Sequence, residues 1–199
     1  MAMAKYSLSF TTGTLFYQES VKLMELFFQL KKWEQVREAV IAENIVQART
    51  LNTLKRVTSE IISRLKMLRE QELSLFTESS HVDRGYILWL AICRRYTFIG
   101  DFAVDVLHYN FTSMKNIVTY DDYNVFLNKK AEWHNEIDRI ATSTKRRLRQ
   151  TLFQILREAN LLDKNNTIIP VNPDASFQKL LASVEGSEAL FFPISGLAR

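Results

Sequence analysis

Lys145, Arg146, Arg147 and Arg149 occupy four of five consecutive positions in the stretch STKRRLRQTLFQILREANLLDKNNTIIPV, residues 143–171. The spacing that follows them is helical, so they fall in the first turn of a helix. Backbone dipoles leave about half a positive charge at a helix start, and each cation placed there costs about 0.3–1 kcal/mol. An anionic partner removes that cost. Guanidinium and ammonium groups donate to phosphate oxygens, arginine and lysine pair with guanine edges, and glutamine, here Gln150, pairs with adenine. A nucleic-acid backbone would supply the negative charge that this helix start lacks.

With about 100° per residue and Leu148 at zero, Leu152, Ile155, Leu156 and Ala159 fall within about 80° on one side. Arg146, Gln150 and Arg157 fall opposite, with Arg149 and Gln154 on the flanks. Phe153 falls on the polar side, where it is expected to pack on a neighbouring element. The helix thus has one core face and one basic, amide-rich face. The competing reading is a solvated charged face whose long side chains lie over apolar surface.

The elements around this helix sharpen its reading. Thr119-Tyr-Asp-Asp122 fits a capping box and predicts a helix to about Glu132. A short helix over Asn135–Ile140 and a tight link at Ala141–Ser143 come next. After the basic helix, Asp163–Asn166 reads as a turn and Thr167–Val171 as a short strand, with Leu190–Ile194 as its partner across a helix capped by Asp174 and ended by Gly186. Short helix, tight link, basic helix and strand is the order of a winged helix-turn-helix, whose second helix points its first turn into the major groove. Lys164, Asn165 and Asn166 would then lie on the wing.

The first half reads as helices over about Thr14–Leu30, Trp33–Asn44 and Leu51–Arg69. A buried helix over Ile87–Cys93 follows, then one capped by Asp101 and reaching Asn110. Gly13 beside two threonines is a turn and cap rather than a phosphate loop, which needs more glycines and a lysine. Thr53-Leu-Lys-Arg56-Val57 echoes Thr144-Lys-Arg-Arg147-Leu148, so the first half can hold a second helix-turn-helix with Lys55 and Arg56 as contacts; coincidence is the competing reading. A boundary near Thr112–Val118 divides the chain into residues 1–115 and 116–199.

Catalytic patterns are not found. His81, His108 and His134 lack ligand spacing, and the Glu132–His134 pair is read as surface or structure. Asp121–Asp122 is taken up by the capping box, and Cys93, the only cysteine, sits in an apolar helix. No nucleophile elbow, dinucleotide fingerprint or zinc cluster is present. The expectation is a protein without enzymatic activity, cofactor or small-molecule substrate.

Five glycines and three prolines in 199 residues leave little turn punctuation, which favours a mainly α chain. The longest apolar run, Tyr86–Cys93, falls far short of the ~20 residues of a membrane span, and MAMAKYSLSF lacks a secretory signal, so a cytoplasmic location is expected. Six cations and no acids lie between Arg139 and Arg157; the formal +4 of the whole chain less these six leaves −2. A basic excess confined to one place points to a polyanion.

The stretches YSLSFTTGTLFYQESVKL, NIVQART, LWLAICRRY, FLNKKAEWH and LRQTLFQILREANLL, with FFP at Phe191–Pro193, resemble the BrxA family of BREX bacteriophage-exclusion systems over nearly the whole chain. The resemblance implies two packed, mostly helical domains similar to DNA-binding proteins; the order of elements makes the second winged-helix-like, with a short β-hairpin or strand pair. It implies double-stranded DNA as ligand, sister BREX proteins as neighbours and no enzymatic activity. Some members are described as inner-membrane proteins, which the hydropathy here does not support. It assigns no individual residue, so the DNA contacts expected at Lys145, Arg146, Arg147, Arg149, Gln150, Lys164, Asn165, Asn166, Lys55 and Arg56 rest on charge and element order. An adaptor that meets an acidic protein, and an RNA-binding protein, are the alternatives; the missing aromatic platform speaks against single-stranded RNA.

Overall fold

A computed structural model describes residues 5–183 and 186–194; the first four residues, part of the stretch read above as lacking a secretory signal, lie outside this set. Helices α1 (Tyr17–Leu30), α2 (Trp33–Glu43) and α3 (Leu51–Leu65) pack on one another. Thr50 caps α3, its hydroxyl accepting from Thr53 N at 3.2 Å. Helix α1 starts at Tyr17 and not at Thr14, because Phe16 takes a left-handed conformation (φ 55°) that ends the preceding loop. In that loop a methyl group at Gly13 would lie 1.9 Å from the Phe16 ring, so the ring rests on a position only glycine leaves open.

Helix α3 stops short of the expected Arg69. The chain turns there and starts α4 (Glu70–Glu78), a helix the sequence reading did not include; Glu72 reaches back to accept from Arg69 N at 2.7 Å. Helix α5 (His81–Arg95) buries every residue from Gly85 to Cys93, as its all-round apolar sequence requires, and lies at the centre of the molecule. The segment expected to start at Asp101 belongs to a longer helical run: α6 (Thr97–Phe102), a π-helical segment (Ala103–His108) and α7 (Tyr109–Thr112). Asp101 therefore does not cap a helix; its carboxylate accepts from Lys130 at 2.8 Å and from the Tyr6 hydroxyl.

Helix α8 (Tyr120–Ala131) begins with the expected capping box, Thr119 Oγ1 accepting from Asp122 N and Asp122 Oδ2 accepting from Thr119 N. Helix α9 (Asn135–Asp138) is a single turn, and α10 (Thr142–Glu158) carries the basic stretch. Helix α11 (Ala175–Ser183) is capped by Asp174, which accepts from Phe177 N at 2.7 Å.

The expected strand pair of Thr167–Val171 and Leu190–Ile194 does not form. Gly186–Phe191 is a 3-10 turn, and one hydrogen bond, Val171 N to Pro193 O at 2.9 Å, joins the two segments. No continuous strand is present among the described residues; instead Thr167 and Ile168 make isolated antiparallel bridges, to Ile117 on one side and Leu162 on the other. Pro170 explains why the pairing ends after Ile169, since it has no N–H to donate.

Both terminal segments cross the sequence midpoint. Residues 6–15 lie against α8, α9 and α10, while Phe191 O accepts from Trp89 Nε1 of α5 at 2.9 Å.

Candidate nucleic-acid interface

Helix α10 buries more of itself than one stripe. Leu148, Leu152, Ile155 and Leu156 are fully buried, and so is Phe153, which meets Tyr120 edge-on at 4.8 Å. The neighbour that Phe153 was expected to need is thus the first residue of α8. Ser143, Arg146, Arg147, Gln150 and Gln154 remain exposed along one side.

The start of α10 is bare. Ala141 offers no side-chain cap and the first turn contains no acid, so the backbone N–H groups of that turn lack the usual intrahelical or capping acceptors. Among the described residues, none of Lys145, Arg146, Arg147, Arg149 and Arg157 has a carboxylate within 4.0 Å. Their charge is uncompensated by the protein.

The cations differ in freedom. Arg146 is exposed, as is the neighbouring amide of Gln150. Lys145 is half-buried, and Arg147 reaches back to Thr11 O at a long 3.4 Å. Arg149 is held: its guanidinium lies 4.4 Å above the Tyr120 ring and donates to Asn124 Oδ1 at 3.3 Å. The Nε atoms of Arg149 and Arg157 are buried without a protein partner.

The turn after α10 is built by Asp163, whose Oδ1 accepts from Asn165 N at 2.7 Å and Thr167 N at 2.8 Å. The bond from the Thr167 backbone, with that from Asn165, holds its carboxyl below the usual range. Lys164 and Asn165 project from this turn, exposed. Asn166 serves the turn itself: it is left-handed (φ 63°), its carbonyl accepts from Val118 N at 3.0 Å, and its side-chain oxygen is buried. Because Val118 lies two residues from Tyr120, the turn sits beside the Tyr120–Arg149 pair. Lys164, Asn165, Tyr120 and α10 therefore belong to one neighbourhood.

Lys55 and Arg56 are exposed in the first turns of α3, but the structure does not bring them to α10. Helix α3 reaches the loop beside α10 through Arg64, which donates to Thr14 O; Lys55 and Arg56 lie about 12–14 Å back along the helix axis. Tyr120 and Asn124 are the site residues that sequence reasoning missed. The capping box placed Tyr120 at the first helical position, which was the one available signal.

The residues weighed for catalysis have structural partners. His81 stacks on Tyr17 at 4.3 Å, His108 Nδ1 lies 2.9 Å from Phe192 O, and His134 Nδ1 lies 3.2 Å from Glu136. Burial pushes the Cys93 thiol well up. No group of three metal-ligating residues occurs among the described residues, and no helix there is long and apolar enough to cross a membrane.

A family model for BrxA matches residues 4–185. The BREX protein BrxA of Escherichia coli O9:H4 (strain HS) is 26% identical over 151 residues, 76% of this chain and 71% of that protein. The BREX protein BrxA of Bacillus cereus (strain H3081.97) is 26% identical over 161 residues, 79% of this chain and 78% of that one. A crystal structure of an uncharacterized protein from Magnetospirillum magneticum shares the fold with TM-score 0.79 at 18% identity, over 96% of this chain and 98% of its own. Matched over nearly its whole length, this chain belongs to the BrxA family.

Proposed function

We propose that this protein is the double-stranded-DNA-binding component of a BREX phage-defence system, acting in the cytoplasm without catalysis of its own. Its relatives are BREX proteins, which supports the system. The observation that carries the DNA reading is the acid-free, uncapped start of α10, whose exposed cations lack carboxylate partners. The order of elements adds support. A short helix, a tight link and the basic helix α10 come before a tight turn, the order of elements in a helix-turn-helix.

In this reading Arg146 and Gln150 enter the groove, Lys145, Arg147, Lys164 and Asn165 meet phosphates, and Arg149 is steadied by Tyr120. The test is duplex-DNA binding across salt concentrations for wild type and Arg146→Glu/Gln150→Ala, with folding checked by circular dichroism. A steep negative salt slope for wild type and a loss of about tenfold or more in the folded variant are expected. Equal binding by both, or none by either at low salt, removes α10 from the interface.

The adaptor reading has one observation in its favour. Trp133 is 70% exposed and Val125 68% exposed on and just beyond α8, and exposed tryptophan is a frequent anchor of protein interfaces. Co-purification with sister proteins that survives nuclease but not Trp133→Ala would favour it.

A further inference from the structure

Nothing local fixes the start of α10. It has no side-chain cap, and it follows a one-turn helix whose single buried residue is Ile137. The groups that locate these elements come from the other end of the sequence. Tyr6 N donates to Glu136 Oε1 at 2.6 Å, and the Tyr6 ring stacks on His134 at 3.8 Å. The Tyr6 hydroxyl donates to Asp101, which together with Asp105 holds Lys130 at the end of α8 (2.8 and 3.1 Å). The 3-10 turn Phe10–Thr12 then packs along α10, and Leu15 N donates to Glu158 at 2.8 Å. One extended segment thus touches all three helices of the interface.

We propose that residues 6–12 are a positioning strap that holds α9 and the first turn of α10 in place, with Tyr6 and Glu136 as its clasp. The proposal rests on the DNA reading for its functional consequence, because the placement of α10 would set affinity. Neither Tyr6 nor Glu136 belongs to the cationic face. Loosening the clasp therefore lowers the population of the binding-competent arrangement without removing a phosphate contact. Affinity falls while its salt dependence stays the same.

The test uses the full chain as Tyr6→Ala and Glu136→Ala, beside the conservative Tyr6→Phe and Glu136→Gln, which keep the ring stack and the acceptor. Backbone hydrogen exchange over 135–146 is read in the free protein, and duplex affinity at several salt concentrations. In the alanine variants, with melting still well above the assay temperature, exchange in α9 and the first turn of α10 is expected to rise about tenfold. Affinity is expected to fall by a similar factor at unchanged salt slope, and the conservative variants should restore most of both. Unchanged exchange overturns the strap whatever the DNA result. Faster exchange with unchanged affinity overturns its role at the interface. If wild type binds no duplex while exchange still rises, the DNA reading fails and the strap stands.

Discussion

Arg94 and Arg146 carry the same guanidinium into opposite surroundings. Arg94 is 8% exposed and chelates Glu72 at 2.5 and 2.7 Å while also pairing with Glu188 at 2.8 Å. Burial disfavours its charge, but the two carboxylates outweigh this and raise its pKa. Arg64 pairs with Glu60 in the same way, and Lys130 with Asp101 and Asp105. Among the described residues, Arg146 and its neighbours have no carboxylate within 4.0 Å. Arg94, Arg64 and Lys130 each come with acids that the fold supplies; the cations of α10 do not. The distinction starts in the sequence, since Arg64 has Glu60 one turn before it and no acid lies between Arg139 and Arg157 to serve α10.

The contrast can be broken by substitution. Arg94→Met leaves Glu72 buried and unpaired, and urea denaturation should register a loss of about 3–5 kcal/mol. A loss below about 1 kcal/mol would place Arg94 among the surface cations. Arg149→Met should fall between the two regions. It forfeits the stack on Tyr120 and the bond to Asn124, about 0.5–2 kcal/mol in the same measurement. Arg146→Ala should leave stability within about 0.5 kcal/mol, yet weaken duplex binding about tenfold, the order of one lost groove contact. Unchanged affinity removes Arg146 from the groove.

The smallest effect concerns Asp122. Burial raises its carboxyl, but Lys115 at 2.5 Å and the Thr119 cap outweigh this and lower it on balance. A carboxylate with a lowered folded pKa contributes stability that is full above its unfolded value of about 3.9 and lost as pH falls through the folded value. The difference in urea midpoint between wild type and Lys115→Met should therefore shrink between pH 6 and pH 3. A difference that holds constant would assign the Lys115 contribution to packing.

What the sequence made legible was local. The capping box at Thr119, the apolar all-round helix and the core stripe of α10 each depend on residues within a few turns, and each is present. Helix α3 was read to Arg69 and not to Leu65 because Leu65 and Leu68 continue the helical spacing up to the turn. Asp101 was misread because a side chain that resembles a cap can equally serve a lysine 29 residues away. The role of Arg149 depends on Tyr120, and the bridge at Thr167 depends on Ile117, pairings that spacing along the chain does not encode. In the site, the identity of the basic face was readable and the freedom of each cation on it was not.

The N-terminal segment also constrains the order in which the molecule can be completed. Tyr6 and Leu15 leave the ribosome before their partners Glu136 and Glu158, which lie 130 and 143 residues later. At about 5–20 residues per second, the interval is roughly 7–30 s. During that time Tyr6, Phe10 and Leu15, all buried in the finished structure, have no second half to cover them. The helices of the first half can pair as they emerge, whereas closing the chain's beginning onto its later helices is a high-contact-order step that must come late.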